Sequence, residues 1–329
     1  MQNNDNNIGA RNEIDSTQTF QPRLLGGIEL GGLRRRSIET AESSASGAAP
    51  AAAGQGTLEK IKSSGTIVLG HRDSSIPFSY IADQPNQPVG YAHDLQLKVV
   101  EAVKKELNMP DLKVRYNLVT SQNRIPLVSN GTVDLECGST TNNLERQKQV
   151  DFSNAFFEIG TRLMAAKDAG INGFGDLKGK TVVTTAGTTS ERLLKEYNDK
   201  EKLGMNIISA KDHGEAALML FNGRAQAFMM DDILLAGERA KTPNPDNWVI
   251  VGEPMSFERY GCMVRKGDAP FKAVVDGALD ATFKNTAEID ALYKKWFESP
   301  IPPKGVNLEF PMSAQVKEII ANPTDKAAE

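Results

Sequence analysis

From Thr57 onward the chain alternates short apolar strands with amphipathic helices, and it does so twice. TLEKIKSSG has helical spacing and stops at Gly65, and TIVLGHR reads as a buried strand. LQLKVVEAVKKEL (helix), KVRYNLVT (strand), RIPLVSNG (short helix) and TVDLECGS (strand) follow. After Gly170 the pattern restarts with DLKGKTVVTTAGTTSERLLKEY and MNIISAKDHGEAALMLFNGRAQAFMMDD. Strands and helices in alternation bury both their apolar faces in an α/β layer, so two α/β units are expected. Two extended segments that end in basic residues, FEIGTRLMAAK (157–167) and RYGCMVRKG (259–267), are the candidate crossings between them. The first lobe would then combine residues 57–165 and 263–329, with residues 166–262 forming the second. The helical segment APFKAVVDGALDATFKNTAEIDALYKKWF returns to the first lobe and ends at ESPIPPKG.

With 38 Lys+Arg against 42 Asp+Glu and a net charge of −4, neither nucleic acid nor an anionic membrane surface is an expected partner. No apolar run approaches the roughly 18 residues that suggest a spanning helix. Cys137 and Cys262 are too few and too distant in sequence for a zinc site, and His71, His93 and His213 lack ligand spacing, so no metal or cofactor is expected. The cysteines are left as either one disulfide or two buried thiols. Residues 1–56 are polar and then rich in Gly, Ala and Ser, which reads as a disordered segment or the remnant of a leader or linker. Arg34, Arg35 and Arg36 follow rather than precede a glycine-broken apolar run, so no secretory signal is recognisable.

Hydroxyls and arginines gather at the ends of the expected strands. In ECGSTTNNLERQKQVDFS, Ser139 and Thr141 lie just beyond TVDLE, and Arg146 sits five residues after Thr141. Alone, Arg146 reads as a solvated surface residue; beside those donors it becomes a fork for a carboxylate. Thr188 and Glu191 have capping-box spacing in GTTSE, which by itself reads as a helix cap; yet a helix start after a strand also offers unpaired N–H groups to an anion. Asp231 and Asp232 end AQAFMM and could serve as acid and base, as an ammonium receptor or as a cap. Arg72, Arg124 and His213 are further polar groups near strand ends. No GxSxG, P-loop, GxGxxG or reactive-cysteine setting is present. These residues describe a two-lobed binding protein for a small zwitterion with extra negative charge.

The segments SQNRIPLVSNGTVDLECGSTTNNLERQKQVDFS, GTTSERLL, ISAKDHG and AFMMDDILLAGERAK carry a resemblance. From about Thr57 to its end the chain resembles the periplasmic solute-binding proteins of polar amino-acid ABC transporters, most narrowly their glutamate/aspartate-binding members. The resemblance implies a type II periplasmic-binding fold, two α/β lobes joined by two crossing strands. It implies L-glutamate and L-aspartate as ligands, a membrane permease as partner, a monomer, hinge closure and a periplasmic location. By the same resemblance, Arg146 and Thr141 would grip the ligand α-carboxylate, and Ser139 and Asp231 would receive the ammonium. Thr188 and Thr189 would close over ligand carboxylates, while Arg72, Ser121, Arg124 and His213 would surround the side-chain carboxylate. A lyase such as the dehydratases that share the fold, with Asp231 or His213 as acid or base, is the enzymatic alternative; a sensory module is the third.

Overall fold

The computed structural model describes residues 55–327, so the reading of residues 1–54 as a tail lies outside the described residues. Helix α1 (Thr57–Ser64) ends at Gly65, whose φ of 65° lets its N–H return to Ile61 O, and β1 (Thr66–His71) follows at once. A small antiparallel arm of β2 (Ser74–Ser75), β3 (Ser79–Ile81) and β4 (Pro88–Val89), which the sequence patterns do not announce, comes next. Helix α2 (Tyr91–Glu106) buries Leu95, Val99 and Val103, one stripe at intervals of four, as its apolar spacing requires. Then come β5 (Lys113–Leu118), α3 (Arg124–Ser129), β6 (Leu135–Glu136) and β7 (Val150–Phe152).

Strand β8 (Phe157–Ala166) leads into the second lobe, built from β9 (Thr181–Thr185), α4 (Thr189–Glu201), β10 (Asn206–Ala210), α5 (His213–Phe221), β11 (Ala227–Asp231), α6 (Asp232–Ala240) and β12 (Trp248–Val251). The return runs through β13 (Phe257–Tyr260) and β14 (Met263–Arg265) to α7 (Ala269–Lys284), α8 (Thr286–Phe297) and α9 (Ala314–Ala321). Asp268 caps α7 at Phe271 N and also accepts from Thr57 N at 2.8 Å, which pins the first described helix to the returning chain.

The first sheet has the order β5-β1-β6-β14-β7, so it takes strands from both ends of the described chain. The second has the order β10-β9-β11-β8-β12. Strands β1, β5 and β6 are mutually parallel neighbours, as are β9, β10 and β11, whereas β14 and β8 enter their sheets antiparallel. Parallel strands buried under helices on both faces explain why TIVLGH and TVVTT are nearly continuous apolar or hydroxyl runs. This is the bilobal α/β architecture that the alternation of elements predicts.

The two crossings pair with each other. Phe157–Gly160 of β8 runs antiparallel to β13, and Thr161–Ala166 then joins β11 and β12 in the second sheet. Below the crossing, the Phe157 ring lies 4.9 Å from Phe78 and 5.0 Å from Phe297, which anchors the strand in the core of the first lobe. The segment RYGCMVRKG is not one strand, because it breaks between β13 and β14 at Gly261 and Cys262. There Cys262 N–H donates to Ser153 Oγ at 2.9 Å, and Cys262 forms a disulfide with Cys137.

That disulfide resolves the alternative left by the sequence. It closes a loop of 125 residues that contains the entire second sheet, and both cysteines are fully buried. A cross-link over so long a loop restricts the unfolded chain and is worth about 2–5 kcal/mol. Paired Cys137→Ser and Cys262→Ser substitutions should lower the unfolding free energy by about that amount. A denaturant titration of the oxidised, reduced and doubly substituted proteins measures it; equal midpoints would show that the bridge contributes nothing.

Candidate functional site

The parallel strands of each sheet bring their C-terminal ends to a common edge, where loops can converge on a ligand. On the first lobe's edge stand three arginines that are almost wholly buried: Arg72 after β1 (1% exposed), Arg124 at the start of α3 (2%) and Arg146 in the 3-10 turn Arg146–Lys148 (7%). Their hydrogen bonds go to neutral acceptors. Arg72 donates to Ser121 Oγ (2.9 Å) and Ser139 Oγ (3.4 Å), and Arg124 to Ser139 O (2.9 Å) and Thr140 Oγ1 (2.6 Å). Arg146 donates to Thr141 O at 2.9 Å and to Gly187 O, on the second lobe, at 3.3 Å. Arg124 Nε is buried without a partner.

Burial, aided by repulsion from Arg124, draws the pKa of Arg72 down to about 9 and that of Arg146 to about 10. Both values leave the guanidinium charged at neutral pH. Three buried cations that face hydroxyls and carbonyls form a field that favours an anion.

The second lobe meets this edge directly. His213, the first residue of α5, lies with Nε2 3.3 Å from Arg72 and Nδ1 2.9 Å from Thr185 Oγ1. Arginine has no acceptor, so Nε2 must accept and Nδ1–H must donate to Thr185. Burial and the charges of Arg72 and Arg124 push the imidazole pKa well below its ordinary value, in keeping with that neutral tautomer. Gly214 N–H donates to Ser74 Oγ at 3.2 Å. Gly187, with φ of 78°, comes so near the first lobe that a Cβ there would stand 2.8 Å from Gln122 Cα, so this contact needs glycine.

The acidic side of the site comes from β11 and the returning crossing. Asp231 occupies the N-cap position of α6 but makes no side-chain cap bond. Its Oδ1 accepts from Ser190 Oγ at 3.3 Å, and Oδ2 accepts from the Tyr260 hydroxyl. Asp232 bonds the helix start instead, accepting from Ile233 N–H at 2.7 Å. Desolvation and the neighbouring Glu258 raise the pKa of Asp231 to about 7. Glu258 Oε2 accepts from both Thr141 Oγ1 (2.5 Å) and Thr189 Oγ1 (2.6 Å).

The structure thus brings Arg72, Ser121, Arg124, Ser139, Thr141, Arg146, Thr189, His213 and Asp231 into one buried constellation. Thr188 stands apart in role: its hydroxyl donates to Thr185 O at 2.6 Å and accepts from Glu191 N–H at 3.1 Å, so it caps α4. Glu191 reaches back to Gly187 N–H, one residue before the position that a capping box uses. Sequence reasoning missed Glu136, Glu258, Tyr260, Ser190 and Thr140. Tyr260 lay in the candidate crossing 259–267, and Glu136, Thr140 and Ser190 lay inside the motifs ECGSTT and GTTSE, but nothing pointed to Glu258. A separate cavity of about 570 Å³, lined by residues that include Phe221, Glu238 and Trp248, shares only Gly214 with the contacts described here.

The pattern of bacterial extracellular solute-binding proteins, family 3, matches residues 67–299. The chain belongs to that family. Over 274 residues it is 70% identical to the L-glutamate/L-aspartate-binding protein of Pseudomonas aeruginosa, a match that covers 83% of this chain and 90% of that one. It is 56% identical over 279 residues to the glutamate/aspartate import solute-binding protein of Salmonella typhimurium, covering 85% and 91%. Among solved structures it is similar to an ancestral amino acid-binding protein, a precursor of cyclohexadienyl dehydratase, with a TM-score of 0.63, 28% identity and coverage of 74% and 100%. The family 3 assignment accounts for a cleft walled by strand ends of two lobes.

The unfolded His213 imidazole takes up a proton near its ordinary pKa of 6.5, whereas the folded one resists it. Its contribution to stability is therefore complete above 6.5 and is lost as the pH falls from there towards the folded value; His71 and His93, also depressed by burial, act in the same direction. Imidazole ¹⁵N shifts should show His213 neutral and Nδ1-protonated at pH 6, and a protonated ring at that pH would contradict the assigned hydrogen bonds.

Proposed function

We propose that this family 3 solute-binding protein captures L-glutamate and L-aspartate between its lobes and delivers them to the membrane permease of an ABC importer. The observation that carries this reading is the trio of buried arginines bonded only to neutral acceptors, with the buried carboxylate of Asp231 across the cleft. A dicarboxylic amino acid brings two carboxylates and one ammonium, and each needs a fixed partner once water is excluded. Arg146 and Thr141 would hold the α-carboxylate, with Thr189 closing from the second lobe. Arg72, Ser121, Arg124 and His213 would enclose the side-chain carboxylate, and Ser139 and Asp231 would take the ammonium. Thr188 would act through the start of α4, by fixing the helix turn that presents Thr189.

The named relatives support this ligand class, being glutamate/aspartate-binding and import proteins. They are binding proteins rather than enzymes, and His213 held as a neutral acceptor of Arg72 is poorly placed to move a proton. A periplasmic site of action, a monomeric state and hinge motion about the paired crossings, Phe157–Gly160 and Phe257–Tyr260, complete the reading.

Isothermal titration with glutamate, aspartate, glutamine and arginine tests it: the two acidic amino acids should bind and the other two should not. Arg146→Ala should cost about 2–5 kcal/mol of binding free energy, which is roughly 30- to several-thousand-fold in Kd. Binding of glutamine as tight as that of glutamate would sink the proposal.

The acidic pole adds a pH dependence. In the free site the pKa of Asp231 is raised to about 7, and an incoming ammonium favours the ionised form and pulls it down. Binding should therefore release a proton, and affinity should weaken by up to about tenfold per pH unit as the pH falls below 7. Titrations between pH 5 and 8 should show that slope, flattened in Asp231→Asn.

A further inference from the structure

Thr141 and Thr189, read above as donors to a ligand carboxylate, already donate to a carboxylate of the protein. Thr141 follows β6 in the first lobe, Thr189 opens α4 in the second, and both hydroxyls converge on the same oxygen, Glu258 Oε2, at 2.5 and 2.6 Å. Glu258 lies on the returning crossing strand opposite Ile159, with its other oxygen held by Ser256 Oγ at 3.1 Å. Only 5% of it is exposed, whereas Phe257 beside it, on the opposite face of the strand, is 59% exposed. Its charge also reaches Arg146, where it offsets part of the effect of burial. A carboxylate ringed by Thr141, Thr189 and the field of Arg146 is chemically equivalent to the α-carboxylate of an amino acid.

We propose that Glu258 is a tethered surrogate ligand: its carboxylate occupies the α-carboxylate donors, bridges the two lobes, and must swing out before an amino acid can be held there. The idea rests on the reading of Thr141 and Thr189 as ligand contacts, but its lobe-bridging part stands on the hydrogen bonds alone. Because Glu258 is on the hinge strand, its anchor moves little when the lobes part, so it can follow either threonine. A tethered group competes at high effective concentration, and the fraction of sites it leaves vacant scales the apparent affinity. Arg72, Arg124 and Arg146 are faced by the acids Glu136, Asp231 and Glu258, all buried. A dicarboxylic amino acid adds a net negative charge, and expulsion of Glu258 to water would offset it.

The test uses the full chain and two variants, Glu258→Ala and the isosteric Glu258→Gln. In the amino-acid-free protein, removal of the bridge should open the lobes, seen as a larger radius of gyration in small-angle X-ray scattering. With L-glutamate as probe, both variants should bind at least about tenfold more tightly than the parent in calorimetry. Weaker binding by the variants would overturn the proposal, since Glu258 would then be a support for the threonines rather than a competitor. An unchanged radius of gyration would overturn the bridge. If the parent protein itself binds neither glutamate nor aspartate, the ligand reading fails, and the scattering result still decides whether Glu258 latches the lobes.

Discussion

The rest of the structure depends on keeping three guanidinium groups charged inside a closed protein. A cation removed from water needs hydrogen bonds for its donors and opposite charge within reach, or the fold loses several kcal/mol per group. Here the two needs are met separately. Hydroxyls and carbonyls from Ser121, Ser139, Thr140, Thr141 and Gly187 accept from part of the donor set, with Arg124 Nε left unpaired, while Glu136, Asp231 and Glu258 supply charge from a second rank. The arginines therefore keep their field for an anionic guest. Had each been locked in a direct ion pair, the cleft would hold charge with little left to attract one.

The two lobes together assemble that field. No single sheet edge carries it: the cations stand on the first lobe, while Thr189, His213 and Asp231 stand on the second. Antiparallel pairing of β8 with β13 makes the joint a two-stranded ribbon. The aromatic cluster around Phe157 and the Cys137–Cys262 bridge fix its base in the first lobe. Glu258 and Tyr260 sit on the ribbon above, which places two site groups at the joint itself.

The sequence made the scaffold legible because the scaffold is written in local patterns. Apolar periodicity marked α2 and β1, Gly65 and Thr188 marked helix ends, and the restart after Gly170 marked the second unit. Arg146 and Ser139 were legible as a pair because they lie seven residues apart and both follow the same strand end. Glu258 was not, since its partners lie 117 and 69 positions away and nothing near FERY signals a buried acid. The arm β2–β4 and helix α9 were lost for a related reason: two- and three-residue strands and an eight-residue helix after a proline-rich turn carry too few periods to read. Asp231 and Asp232 divide the roles that their sequence position offered: Asp232 bonds the helix start, and the carboxylate of Asp231 turns to Tyr260.

A crystal structure of the protein with L-glutamate bound would decide how an acidic amino acid lies among these groups. The α-carboxylate should rest on Arg146 and Thr141, the ammonium within hydrogen-bond distance of Asp231, and the side-chain carboxylate between Arg72 and Arg124. Glutamate bound with its two carboxylates exchanged, or held away from the three arginines, would refute the proposed arrangement.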